Sequence, residues 1–416
     1  MLKIILSLFF ICYITLISSN INNSNKEVNC GADVLVNNKL SILEGKQVGI
    51  VTNHTAVLKN GIHLVDTLSK IKTLRLIALF GPEHGIRGDA PDGHGITDGK
   101  DPKTGIPVYS LYGKINKPTK EMLKDVNVLV FDIQDIGSRF YTFISTLFYT
   151  LQAGAENNIP VIVLDRPNPI GGINVSGNIT EEGYFSFVGI APIPIQHGLT
   201  VGELANFFNE EGLLGKGLKA DLQVIKIENW NRKDLYSDTD LKWINPSPNM
   251  VSLESALVYP GLCLLEGTNV SEGRGTKKPF LTFGAPYLNS IELISNLEKY
   301  KFEGIQFSPI EYTPIEIPNM ASNPKYKDTK CYGIELKVDT KKDFDAVKLG
   351  ITIIYEINRL FKEKFEFRKK SIDRLYGSNK LSEFILNGKS LEEIFATWLP
   401  ELDNFKKNRE KYLLYN

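Results

Sequence analysis

The chain reads as an α/β protein: a Rossmann-like, mainly parallel sheet with helices on both faces, followed by a smaller α+β C-terminal domain. Three observations predict this. Four apolar runs in the first 170 residues are continuous rather than alternating, as strands buried on both faces are. Segments with helical spacing separate them, the pattern of βαβ units. Each run also ends in a cluster of polar and glycine residues, and in such sheets ligands bind outside the carboxyl ends of the strands.

The first run, Gln47-Val-Gly-Ile-Val51, leads into Thr52-Asn-His54. The second, Leu76-Ile-Ala-Leu-Phe80, feeds Gly81-Pro-Glu-His-Gly-Ile-Arg-Gly88. The third, Val126-Asn-Val-Leu-Val-Phe131, precedes Asp132-Ile-Gln-Asp135, and the fourth, Val161-Ile-Val-Leu164, precedes Asp165-Arg-Pro-Asn168. Helical spacing falls at Ile62 to Lys70, Lys120 to Lys124 and Phe140 to Glu156. Thr200-Val-Gly-Glu203 has the capping-box pattern and opens a helix through Phe208; Leu222 to Ile227 supplies another strand.

A chain of 416 residues exceeds the size at which single cores stop growing, roughly 250–300 residues, so two domains are expected. Residues 40–245 form the first, and the Asn245-Pro-Ser-Pro-Asn249 cluster marks the boundary. In 250–416, extended pieces at Ala256 to Leu264 and Gly333 to Val338 alternate with helical ones at Leu288 to Leu297 and Phe344 to Phe361. Ser390-Leu-Glu-Glu393 is a second capping box, and Leu399 to Tyr415 a terminal amphipathic stretch.

Lys3 followed by an apolar stretch to Ile17 reads as a signal peptide over 1–19, with 20–39 as a tether; the protein is expected to be exported, periplasmic or secreted. A membrane role arises only if that segment stays uncleaved. Forty-eight basic against 48 acidic residues leave no bulk field to recruit nucleic acid. Cys30, Cys263 and Cys331 form no CxxC pair, which excludes a disulfide scaffold and a cysteine zinc site. A Cys263–Cys331 disulfide and buried free thiols are the two states open to them.

A second polar concentration is Leu265-Glu-Gly-Thr-Asn-Val-Ser-Glu-Gly-Arg-Gly-Thr276, whose glycines permit tight turning close to a ligand. This block, with Gly81–Gly88, Asp132-Ile-Gln-Asp-Ile-Gly-Ser-Arg-Phe-Tyr141, Leu164-Asp-Arg-Pro-Asn-Pro-Ile-Gly-Gly172 and the ending Lys411-Tyr-Leu-Leu-Tyr415, resembles the signature blocks of the NamZ family. These are exo-β-N-acetylmuramidases of peptidoglycan recycling, formerly a domain of unknown function. The resemblance implies a site in the cleft between the two domains. It also implies release of terminal N-acetylmuramic acid (MurNAc) from the non-reducing end of MurNAc-containing muropeptides or disaccharides.

Roles follow from chemistry. Glycoside hydrolysis usually needs an acid for the departing oxygen and a second carboxylate. Glu83, in a glycine-flanked turn at a strand end, is the expected essential carboxylate, with His84 beside it to orient it or assist proton transfer. Asp132, Asp135 and Glu272 compete for the second role. The lactyl carboxylate of MurNAc calls for a guanidinium, and Arg87, Arg139, Arg166 and Arg274 are the candidates. Gln134, Asn168, Asn269 and Ser271 can hydrogen-bond hydroxyls and the N-acetyl group, Tyr141 offers an apolar face with a polar tip, and Asp135, His197 and Glu266 complete the expected substrate-binding set.

No cofactor is expected. The Gly81–Gly88 loop matches neither a GxGxxG nor a P-loop, and no HExxH-type spacing is present. Two other readings stay open: a metal-assisted hydrolase drawing on His54, His84, His94, His197, Asp132 and Glu83, and a non-catalytic muropeptide-binding protein.

Overall fold

The structure, a computed structural model, describes residues 27–88 and 98–416. The expected signal segment, the first part of the tether and His94 lie outside the described residues. Twelve strands are described: β1 (Gln47–Thr52), β2 (Arg75–Gly81), β3 (Gly99–Lys100), β4 (Pro107–Ser110), β5 (Val128–Asp132), β6 (Val161–Leu164), β7 (Ser176–Ile179), β8 (Pro194–Gln196), β9 (Leu222–Ile225), β10 (Thr282–Ala285), β11 (Ile305–Tyr312) and β12 (Cys331–Val338). The main sheet has the order β3-β4-β2-β1-β5-β6-β9, parallel except for β3 against β4.

The continuous apolar runs are explained by what each face covers. Along β1, β5 and β6, Val48, Ile50, Val128, Val130, Ile162 and Leu164 enter one core, under α1 (Gly31–Asn38) and α2 (Leu64–Leu68). Their neighbours Val51, Leu129, Phe131, Val161 and Val163 enter the other, under α3 (Phe143–Asn157) and α4 (Val201–Glu210). Neither face is left for water, so no polar alternation survives. Thr200 and Glu203 close the expected capping box of α4, and Ser390 and Glu393 that of a later helix.

The second core continues into the C-terminal half, taking in Leu262, Phe280, Phe283, Ile334 and Ile353. Here the antiparallel sheet β10-β12-β11 is accompanied by α5 (Leu253–Leu262), α6 (Ser290–Leu297) and α7 (Ala346–Leu360). Helices α5 and α7 meet at glycines: a Cβ on Gly261 would lie 1.8 Å from the Ala346 carbonyl oxygen, and one on Gly350 would lie 2.3 Å from Gly261 backbone. Four short helices, α8 (Lys369–Tyr376), α9 (Lys380–Leu386), α10 (Leu391–Ala396) and α11 (Leu399–Arg409), follow. The last residues return to the first half, where the Tyr415 hydroxyl donates to Asp165 Oδ2 at 2.5 Å and accepts from the Ile227 amide.

Three expectations are corrected. Residues 31–38, read as tether, form α1, because Ala32, Val34 and Leu35 pack into the core beneath the sheet. Ala256 to Leu264, read as extended, lies mostly in α5: Ser252 caps it by accepting from the Ser255 amide, and its apolar run reflects burial all round rather than a strand. Lys120 to Lys124 forms only turns, closed by Asp125 at φ 69°. Cys30, Cys263 and Cys331 are all free and buried. No helix of the described residues is long and apolar enough to cross a membrane.

Candidate active site

The polar loops gather at the carboxyl edge of the main sheet. After β2 the chain turns at once: the Gly85 amide donates to the Pro82 carbonyl at 3.0 Å, and His84 and Gly85 both take positive φ. Gly88 at φ 79° sits against the His54 ring, where a Cβ would come within 2.6 Å. His54 is itself fixed through Nε2 to the Asn245 carbonyl at 2.8 Å. This clamp leaves Glu83 half-buried, its Oε2 accepting from the Thr142 hydroxyl at 3.1 Å, while His84 is buried beside it.

From Thr142 a path of aromatic rings crosses to the C-terminal half. Tyr141 meets Tyr259 edge-on with centroids 5.8 Å apart, and Tyr259 meets Phe280 at 4.8 Å. The Arg274 guanidinium lies over Phe280, 5.4 Å from its centroid. Around Arg274 stand two carboxylates in unlike settings. Glu266 Oε1 takes the Arg274 Nε and Nη2 donors at 3.2 and 2.9 Å, and burial together with nearby Glu272 raises its pKa. Glu272 has burial against it too, but Lys325 Nζ at 2.9 Å from Oε2 and Arg274 Nε at 3.7 Å from Oε1 hold it below the usual glutamate range. Lys325 is anchored by donating to the Leu265 and Val270 carbonyls.

The remaining expected residues are engaged by the protein. Asp132 ends β5 fully buried in a bidentate pair with Arg166, Nε to Oδ1 at 2.5 Å and Nη2 to Oδ2 at 3.0 Å. Arg87 grips Asp101 through Nε and Nη2 at 2.9 and 2.8 Å and reaches Asp66 at 2.7 Å. Burial opposes the Asp101 charge, yet Arg87 holds its pKa down to about 2. Arg139 makes no bridge to Asp135, because 135–138 is not helical. It is fully buried and donates to four carbonyls, those of Asn178, Ile193, Leu375 and Tyr376, so its expected part in substrate binding is corrected to a structural one.

Asn168 and Asn269 are corrected likewise. Asn168 joins the Leu199 carbonyl and the Ile170 amide, and Asn269 ties Lys364, Tyr287 and Glu366 together. Ser271 accepts from the Gly273 amide. Asp135 accepts from the Gly137 amide at 2.7 Å while its Oδ1 lacks a partner, and burial pushes its pKa up to about 7. His197 Nδ1 accepts from the Leu199 amide, its Nε2 stands 3.9 Å from Asp135, and burial with Arg409 and Arg139 lowers its pKa to about 3, so it is neutral. Among the described residues no group of three or more His, Cys, Asp or Glu side chains is placed to hold a metal ion.

The sequence singles out Glu83, Tyr141, Glu266, Glu272 and Arg274 but not the residues that hold them in place. Thr142, Tyr259, Phe280 and Lys325 lie in no polar-glycine cluster. Of these only Thr142 carries a signal, its place directly after the Asp132–Tyr141 block.

The chain is similar to known proteins along nearly its whole length. The family described as exo-beta-N-acetylmuramidase NamZ, N-terminal, matches residues 48–254, and its C-terminal counterpart matches 257–415. The peptidoglycan beta-N-acetylmuramidase NamZ of Bacillus subtilis is 45% identical over 399 residues, 96% of this chain and 94% of that protein. Two crystal structures of DUF1343 family proteins from Bacteroides fragilis superpose with TM-scores of 0.86 and 0.76, at 38% and 34% identity, each over 94% of this chain and 99% of the other. The two family models together span nearly the whole described length, and the chain belongs to the exo-β-N-acetylmuramidase NamZ family.

Proposed function

We propose that this chain is an exo-acting glycosidase that releases terminal MurNAc from the non-reducing end of peptidoglycan fragments. The observation that carries the reading is the 45% identity, over 96% of the chain, to a peptidoglycan β-N-acetylmuramidase, supported by the run of ring contacts that links the Glu83 turn to the Glu266–Glu272–Arg274 cluster. Glu83 is the acid for the departing oxygen: it projects from a turn clamped by Gly88 against His54, and Thr142 fixes its orientation. Arg274 receives the lactyl carboxylate. Of the four candidate arginines its side chain is the most exposed, 26% against 16% for Arg87, and Arg139 and Arg166 are buried in protein hydrogen bonds.

Each of the three competitors for the second carboxylate is engaged by the protein. Asp132 is clamped by Arg166, Asp135 is buried, and Glu272 is held by Lys325 and Arg274. This favours attack by the substrate's own N-acetyl oxygen, which leaves a single essential protein carboxylate. The N-terminal apolar stretch supports export to the compartment where such fragments arise. The deciding experiment is incubation with MurNAc-GlcNAc and, separately, GlcNAc-MurNAc, with product identification: release of MurNAc from the first only is expected, and cleavage of both or neither contradicts the reading.

A further inference from the structure

Lys325 enters the candidate site from a segment sixty residues beyond Leu265, and the local chain holds it there. Gly275 lets that segment approach: it takes φ 80°, and a Cβ on it would lie 2.7 Å from the Pro324 ring. Tyr326, on the other side of Lys325, donates its hydroxyl to the Asn269 carbonyl at 2.6 Å. Between these two contacts Lys325 Nζ donates to the Leu265 and Val270 carbonyls at 2.8 Å each and stands 2.9 Å from Glu272 Oε2. Its charge is therefore spent inside the protein.

The two carboxylates beside Arg274 oppose an anionic ligand unequally. The Glu266 side chain is 30% exposed, and water screens its charge. The Glu272 side chain is 4% exposed with Oε1 3.7 Å from Arg274 Nε, so its charge acts through protein rather than through water. Alone, it would both take up the attraction of Arg274 and repel a second carboxylate on the same guanidinium. Burial would push Glu272 toward its neutral form; Lys325, ahead of Arg274, keeps it ionised and balances the charge.

We propose that Lys325 sets the selectivity of this site for a sugar that bears a carboxylate: by balancing Glu272 it keeps that side chain from competing with the lactyl group of MurNAc for Arg274. Lys325 is a positioning residue, because its own contacts go to Leu265, Val270 and Glu272 and it acts through Glu272 and Arg274. The inference rests on the reading of Arg274 as the receptor of the lactyl carboxylate. Without Lys325 the site holds a buried negative charge with less to balance it, and MurNAc loses its advantage over a neutral analogue of the same shape.

Calorimetric titration of the full chain with MurNAc and with the methyl ester of its lactyl carboxylate reads this preference without needing turnover. The parent should bind MurNAc roughly tenfold or more tightly than the ester, about 1.4 kcal/mol, and Arg274→Ala should abolish the ratio. A parent without the preference, or an Arg274→Ala variant that keeps it, refutes the reading of Arg274 and takes the proposal with it. Where both results hold, Lys325→Met should lower the ratio roughly tenfold by weakening MurNAc, with ester binding within about threefold of the parent. Adding Glu272→Gln to Lys325→Met should bring the ratio back to within about threefold of the parent, because the charge that Lys325 balances is gone; lost anchoring of the Leu265 and Val270 carbonyls would not be repaired this way. If Lys325→Met alone does not fold, Glu272→Gln with and without Lys325→Met carries the test: ratios within about threefold of each other are expected, and a tenfold fall overturns the proposal. A ratio unchanged by Lys325→Met, or one that Glu272→Gln fails to restore, overturns the role of Lys325 and leaves that of Arg274 standing.

Discussion

Replacing Arg139 by Gln separates a structural arginine from a substrate-binding one. Its guanidinium donates to the carbonyls of Asn178 at 2.6 Å, Ile193 at 2.9 Å, Leu375 at 3.0 Å and Tyr376 at 2.6 Å, and thereby ties β7 and the run into β8 to the end of α8. The last two carbonyls belong to a helix C-terminus, where a cation is favoured. Tyr376 keeps the Asn178 Nδ2 donor, and glutamine offers two donors on a shorter stem, so one or two of the other three buried carbonyls lose their partner at roughly 1–3 kcal/mol each. Burial disfavours the charge itself, lowering the Arg139 pKa to about 9, and removing it returns part of that cost. The net expectation is a loss of about 3 kcal/mol, and at the lower end of the roughly 2–4 °C per kcal/mol seen for mid-sized domains the melting temperature falls by about 6 °C. Thermal melts and steady-state kinetics on MurNAc-GlcNAc read both quantities: KM should be unchanged in the folded variant. An unaltered melting temperature with KM raised tenfold would restore Arg139 to substrate binding and refute this reasoning.

Gly261→Ala should cost about 2–3 kcal/mol or prevent folding, because its Cβ meets Ala346 backbone at 1.8 Å and backbone cannot rotate away; urea denaturation measures it. Asp135 has a folded pKa raised to about 7 against the ordinary value of 3.8, so the folded state keeps a proton that the unfolded state has lost. Its contribution is therefore fully present below pH 3.8 and is lost as pH rises through about 7. Asp135→Asn should gain stability relative to the parent by about 1–3 kcal/mol between pH 4 and pH 8, measured by denaturation at both; a difference that does not change with pH would contradict the burial argument. If the N-acetyl oxygen is the nucleophile, a MurNAc-derived thiazoline should inhibit competitively, and trifluoroacetylation of the substrate nitrogen should slow turnover by at least tenfold; indifference to both would point to a protein carboxylate.

The main sheet was legible because burial on both faces imposes continuous apolar runs, and the capping boxes at Thr200 and Ser390 because a cap is a local hydrogen-bonding device. Glu83, Tyr141 and Arg274 stand out in the sequence as members of polar-glycine loops. What escaped was non-local. Nothing near Arg87 in sequence says that Asp66 will share it with Asp101, and nothing near Glu272 points to Lys325, more than fifty residues on. Asp132 and Arg166 were weighed separately for catalysis and substrate binding, yet adjacent placement of β5 and β6 makes them each other's partner. α5 was misread because a helix buried all round shows the same unbroken apolar character as a central strand.

Glu83 stands at the centre of the account, and Glu83→Gln tests it most directly, since the amide preserves shape and the contact with Thr142 while removing the proton donor. Measured on MurNAc-GlcNAc, kcat should fall by about 10²–10⁴-fold or more with disaccharide binding retained, and a MurNAc aryl glycoside, whose leaving group needs less protonation, should recover much of the loss. A variant that keeps parental kcat, or one that loses kcat equally on both substrates, would contradict the assignment of Glu83 as the acid.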